Sequence, residues 1–533
     1  MINVIRILLT FIFFSVACGV SASDTCEDFN THKFFQNIDY DRLDHCASIN
    51  DGALNLKKDK DGSIPIFKAL SYDFDPFYLG VFSRSLDAER LSEMFAITDI
   101  QGRNLLHVAI DKSKNIEHLV AILSWGLDPN QALVGSSLTV IDKLAKDNDS
   151  NSTFLLSALK IGGGRISKDL KLEYSDNLAI LQSERWEEVS FKTFKRKLKR
   201  KSELKYDEEL CLGLTFPEKV KELLSELMIA CVDYPYAEYF DEKGSSYLHI
   251  LAKEAGDPAV LDLFLGNLDE ELRLSLLNSS DKDGLKPIHV AAKYNKNPSI
   301  LIRLVAWGAD PNTTVDRKVK WNEVKTRFFK QRPIHFIAER HDGMSYLMML
   351  TLLALGADPK GQTVNGNTPL HILLSSEITY PPTLSVLLYA QTAQEGWIAS
   401  QFNSFIKEPK NVKGATPLLY AVSKKLGDKS DAYAEKSMRH YSIISKLLKF
   451  GANPDETDEK GWSPVLMYAV QGTDADTFIL LLSYSEKSCK MNTKDGFTVL
   501  AALKENDHLA SQPVKDGIFD TSVLGLFLKK CAA

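Results

Sequence analysis

The residues able to do chemistry in this 533-residue chain are scattered, and they do not assemble into a reaction centre. Its eleven histidines never form His-Glu-x-x-His, the helical spacing that puts two imidazoles on one metal beside a glutamate base. No glycine-rich loop ending in Lys-Ser/Thr is present to cradle a phosphate, and no Gly-x-Ser-x-Gly supplies a nucleophile elbow. Asp59-Lys60-Asp61-Gly62 has the look of a calcium loop. In that register Lys57 and Lys68 would fill the first and twelfth positions, where Asp and Glu are needed. His341 near Glu339 is an isolated neighbourhood. No metal or other cofactor is expected, and the chain reads as non-catalytic.

The cysteines suggest a different chemistry. Arg6 precedes an apolar run over 7–16, and Val20-Ser21-Ala22 fits small-residue cleavage, so 1–22 reads as a secretory signal. Two alternatives stay open: lipidation of Cys18, or a retained anchor. Without Cys18 six cysteines remain, an even set that in an exported chain points to disulfides. Proximity suggests Cys26–Cys46, Cys211–Cys231 and Cys489–Cys531, among fifteen possible connectivities, with buried free thiols as the competing reading. Asn148, Asn151, Asn278 and Asn312 open Asn-x-Ser/Thr sequons, which matter only in a eukaryotic secretory route.

The elements that carry these residues repeat. Gly366-Asn367-Thr368-Pro369-Leu370-His371 has close relatives at intervals of roughly 35–48 residues, with turn positions at Gly62, Gly102, Ser137, Gly244, Gly284, Lys330, Gly366, Gly414, Gly461 and Gly496. The pattern has a physical reading. Glycine supplies positive φ at the turn, and Thr-Pro opens a helix, since the first turn needs no proline N–H. A second apolar helix ends at Gly-Ala-Asp-Pro-Asn over 308–312. A helix pair of this kind cannot bury its apolar face alone, so the copies must stack. Copies 137 and 496 are degenerate, and copy 330 has lost its glycine but keeps Arg332-Pro333-Ile334-His335.

At nearly every diagnostic position the unit resembles the ankyrin repeat. The resemblance implies an all-α solenoid of stacked helix pairs with β-turn fingers, binding protein through fingertips and the inner helix face. It also implies that His107, His249, His289, His335 and His371 bridge backbone groups of neighbouring turns rather than ligate a metal. Fingertip positions then give Ile100, Gln101 and Arg103; Lys282, Asp283 and Leu285; Glu459, Lys460 and Trp462; Lys494, Asp495 and Phe497. Trp462 and Phe497 are equivalent in adjacent copies, and either form an aromatic anchor pair or pack finger on finger. Trp125 and Trp307 read as packing residues.

The expected organisation is a signal at 1–22, an N-terminal cap at 23–55, repeats at 56–160, a degenerate helical insert at 161–240, repeats at 241–510 and a C-terminal cap at 511–533, with a short helix over 522–530. The net charge of −6 argues against generic nucleic-acid binding. One segment, 191–205, holds eight Lys/Arg against Glu203, with Phe191, Phe194 and Leu198 on one helical face. It reads as a helix docked on the array, or as a contact for an acidic protein or an anionic membrane; a lipidated Cys18 is a second route to a membrane. The expected function is an exported, periplasmic or secreted scaffold that binds a protein, such as an immunity or inhibitory partner of a toxin or enzyme. The alternatives are a secreted effector that binds a host protein, and, less favoured, an enzyme with its site in 161–240.

Overall fold

The computed structural model describes residues 26–532, apart from 73–80, 113–115, 124–126, 133–138, 145–149, 162–235, 316–329, 376–380, 395–409, 424–432, 517–518 and scattered shorter stretches. The signal at 1–22, Cys18, Trp125, His341, Cys211, Cys231 and the basic segment 191–205 fall outside the described residues.

The copy at 458–484 illustrates how the well-formed repeats build. The Asp458 carboxylate accepts the N–H groups of Lys460 and Trp462 at 2.9 and 2.8 Å, closing a turn in which Gly461 has φ +88°. Ser463 then caps the helix Pro464–Gln471, its hydroxyl accepting from the Leu466 N–H, with Pro464 at the first position. Asp474 caps the second helix, Ala475–Tyr484, in the same manner. The glycines at 62, 102, 244, 284, 366, 414, 461 and 496 all have positive φ, as the turn chemistry requires. Lys330, where the glycine is lost, is left at φ +55°. The fold is mostly helical.

Successive turns are stitched together by backbone hydrogen bonds. Ile100 N–H donates to Asp61 C=O, Lys282 to Lys243, Val412 to Asn365, Glu459 to Lys413 and Lys494 to Lys460, all at 2.9–3.0 Å. The helices stack behind them around one apolar core. Trp307 is buried, with its indole N–H 2.8 Å from Asp262 Oδ1 and the Arg273 guanidinium 5.1 Å above its ring. Arg273 lies on an extra helix, Glu270–Asn278, inserted after the pair Tyr247–Glu254 and Ala259–Gly266. That insertion accounts for the long spacing between Gly244 and Gly284.

The sequence did not anticipate that the array doubles back. The second helices Ile116–Leu123 and Ser150–Ile161 pack on the second helices Pro381–Gln394 and Ser345–Ala354, respectively. The order is antiparallel, because the earlier helix meets the later one. In cross-section the layers run first helix, second helix, second helix, first helix. The composition of Ser345–Ala354, Ser-Tyr-Leu-Met-Met-Leu-Thr-Leu-Leu-Ala, fits this place: a helix apolar on all sides needs cover on all sides. Met348, Met349, Leu350 and Leu352 are fully buried.

Both ends are cross-linked. Cys26–Cys46 is buried beside Phe29, Phe34, Phe35 and Phe82, whose rings form an edge-to-face and stacked cluster. Cys489–Cys531 ties the last helix, Val523–Ala532, to the turn Ser488–Lys490. A hairpin of Pro513–Asp516 and Phe519–Ser522 precedes that helix, within the C-terminal cap and beyond the repeats.

Candidate functional site

The row of stitched fingers is the surface best suited to recognition. Each Asp, Asn or Thr at the turn start spends its side chain on the turn's own N–H groups, which fixes the loop without help from solvent. The residues two and one before the glycine are left pointing outward. Among the expected contacts Ile100, Gln101, Lys282, Asp283, Glu459, Lys460, Lys494 and Asp495 are exposed, Ile100 to 74 %.

The position after the glycine behaves differently, because there the chain turns back toward the first helix. Leu285 is only 3 % exposed, its N–H donating to Asp281 and its carbonyl accepting from His249, so it is a core residue and not a fingertip. Arg103 is half-buried and paired with Asp99 at 2.7 Å and Asp111 at 3.4 Å. Trp462 and Phe497 are half-buried too, with ring centroids 6.1 Å apart, and both pack on the core. They sit at the base of the fingers.

Val364 and Val412, 52 % and 57 % exposed, occupy on adjacent fingers the position that Ile100 holds on its own. Sequence reasoning passed over them. Aligning every copy on its glycine, rather than reading only four, would have found them.

The histidines hold the fingers to the helices. In four copies Nδ1 accepts the N–H of the residue three before it: Ser246, Lys286, Arg332 and Thr368, at 2.9–3.2 Å. Nε2 then carries the proton and donates to a carbonyl of the next copy: His249 to Leu285 at 2.9 Å, His289 to Thr313 at 3.1 Å, His335 to Gly361 at 2.9 Å and His371 to Ala415 at 3.0 Å. Burial disfavours a charged imidazole and pushes His289 down to about 3 and His335 and His371 down to about 4; His249 is lowered for the same reason. These side chains are structural pins. In the last three copies Leu419, Leu466 and Ala501 replace the histidine, and hydroxyl caps from Thr416, Ser463 and Thr498 take over the N-terminal role.

Of the sequon residues, Asn312 donates to Gly356 C=O and accepts from Asp358 N–H, both at 2.8 Å, and Asn278 donates to Leu274 C=O at 3.0 Å. Among the described residues no cluster of His, Cys, Asp or Glu is arranged to hold a metal, and no helix is long and apolar enough to cross a membrane.

No protein-family model and no curated protein matches the chain. Among solved structures, the chain is similar to the ankyrin repeat domain of Bcl-3, a member of the IkappaB protein family. Identity is 22 %, covering 49 % of this chain and 95 % of that one, with a TM-score of 0.33. That likeness is too loose to decide anything here; the finger, cap and histidine geometry defines the repeat.

Proposed function

We propose that this protein is a non-catalytic scaffold that binds another protein along its finger edge. The observation that carries the reading is the ladder itself. A series of loops, most of them closed by their own side chain and bonded to a neighbouring loop, presents exposed side chains along one edge. Rigid presentation of this kind lowers the ordering cost of association.

The contact surface proposed is Ile100, Gln101, Lys282, Asp283, Glu459, Lys460, Lys494 and Asp495, with Val364 and Val412 added. Trp462 and Phe497 serve as anchors at the finger bases. The organisation proposed keeps a signal at 1–22, caps at 23–55 and 511–533, and repeat blocks at 56–160 and 241–510 around the insert 161–240. Two cross-linked ends support export into an oxidising compartment, periplasmic or extracellular. Within it the role proposed is immunity to, or inhibition of, a toxin or enzyme. Binding a host protein as a secreted effector is the second reading, also favoured by the disulfides.

The test replaces Val364 and Val412 with Asp in one variant and compares partner capture from the native compartment with that of the parent. Losing two neighbouring apolar contacts should weaken capture about thirtyfold, the equivalent of roughly 2 kcal/mol. A variant that keeps the parent's helical signal and captures the partner equally well places the interface elsewhere.

A further inference from the structure

The two disulfides among the described residues differ in what surrounds them. Cys26 and Cys46 are buried, at 5 % and 0 % exposure, in the same core as the aromatic cluster of the N-terminal region. Cys489 and Cys531 are both exposed. The chain also places Lys487, Lys490, Lys529 and Lys530 within two residues of that second bond, all of them exposed.

We infer that Cys489–Cys531 is a thiol–disulfide exchange site, opened by a dithiol reductant to release the terminal helix while Cys26–Cys46 stays closed. Exchange requires a thiolate to reach a disulfide sulfur, and of these two bonds the exposed one allows that approach. Lys487, Lys490 and Lys529 make the surroundings of the bond more positive, which attracts the incoming thiolate and favours departure of the leaving cysteine thiolate, whereas the Lys530 ammonium is engaged by the Leu482 and Ser485 carbonyls. One reductant thiolate attacks a cysteine Sγ, forming a mixed disulfide and expelling the other cysteine as thiolate. The second reductant thiol then displaces the mixed disulfide. The reductant closes its own S–S bond, and its two protons end on Cys489 and Cys531.

The bond holds something that can move. Val523 and Phe527 are the buried residues of the helix Val523–Ala532, and Leu528 on it is exposed. Lys530, next to Cys531, donates to Leu482 C=O and, at 2.8 Å, to Ser485 C=O, where the helix Ala475–Tyr484 ends. The cross-link and that lysine cap lie together at the helix's C-terminal end, so opening the bond frees the end that covers the last repeat. Reduction thereby loosens the cover that Val523 and Phe527 give to the core at this end of the array.

The experiment treats the full chain with dithiothreitol under native conditions, traps thiols by alkylation and maps the peptides over time, with hydrogen exchange in parallel. Cys489–Cys531 should open at least tenfold faster than Cys26–Cys46. Exchange in Val523–Ala532 should rise at least tenfold, while Pro464–Gln471 stays protected. Comparable opening rates, or a terminal helix equally protected once its bond is open, overturn the inference. A Cys489→Ser, Cys531→Ser variant should show the loosened helix without reductant; parent-level protection there overturns it as well.

Discussion

His371 Nε2 donates to the carbonyl of Ala415, 3.0 Å away and 44 residues along the chain. The same link joins His249 to Leu285, His289 to Thr313 and His335 to Gly361. Protonation leaves that donor intact but destroys the acceptor at Nδ1, which receives a backbone N–H. In the unfolded chain each imidazole takes its proton near pH 6.5. In the folded chain His289 resists to about 3, and His335 and His371 to about 4. Between those limits the unfolded state binds more protons, so stability falls as pH drops through that window and levels off below it. Hydrogen exchange across the window should show Tyr247–Glu254, Pro287–Tyr294, Pro333–Ala338 and Pro369–Ser375 opening before Pro464–Gln471, whose copy has Leu466 instead. Simultaneous loss in all five helices contradicts this account.

Glycine at the finger turn serves two separable purposes. At Gly496, φ is +80° and an added methyl would meet nothing within 4 Å, so Gly496→Ala should cost only the backbone strain, about 1 kcal/mol. At Gly366 the same methyl would lie 2.8 Å from the Val412 nitrogen on the next finger. Gly366→Ala should therefore cost clearly more, about 2–3 kcal/mol, because the finger ladder must part. Urea unfolding of the two variants decides; equal midpoints would show that neighbour contact is unimportant.

Asp262 accepts the Trp307 indole N–H and lies 3.1 Å from Arg303, with both charged side chains almost fully buried. Removing one charge strands the other in the core. Asp262→Ala should destabilise by about 3–5 kcal/mol, whereas Asp262→Leu combined with Arg303→Met should recover most of that loss. Thermal melts of the single and double variants provide the comparison.

The Trp462 and Phe497 rings pack on each other and on the core, so their removal tests stability before it tests recognition. Each truncation to Ala should cost about 1–3 kcal/mol, less than a fully buried aromatic, and the pair should be non-additive by about 1 kcal/mol. If both single variants melt with the parent, the rings are free for a partner to the full extent that their position allows.

What the sequence discloses here is local chemistry. A turn closed by its own carboxylate, a Thr-Pro helix start and a histidine three residues into the helix are all short-range, and residues such as Gly461, Ser463 and His371 adopt the expected roles. Trp307 is buried as expected. The cross-links Cys26–Cys46 and Cys489–Cys531 also match the proximity reading. Leu285 failed because outward and inward positions within a finger differ by a single residue. The final hairpin was missed although its pairing of Asp516 with Phe519 leaves two positions between the strands and the first is a glycine, the residue that such short turns favour. The doubling back depends on contacts nearly two hundred residues apart or more, which no local pattern encodes. Its one trace was the helix 345–354, too evenly apolar to have a wet side.

That distant pairing changes the mechanics of the molecule. A simple solenoid behaves like a spring, with each turn coupled only to its neighbours and free to fray from either end. Bracing Ser150–Ile161 against Ser345–Ala354, and Ile116–Leu123 against Pro381–Gln394, turns that part of the spring into a truss. Its members strain and yield together, and it can form only after a very long loop has closed, which slows folding. The copies beyond the brace, with Leu419, Leu466 and Ala501 in place of histidine, keep the compliance of an ordinary solenoid. One chain thus joins a stiff frame to a pliant arm.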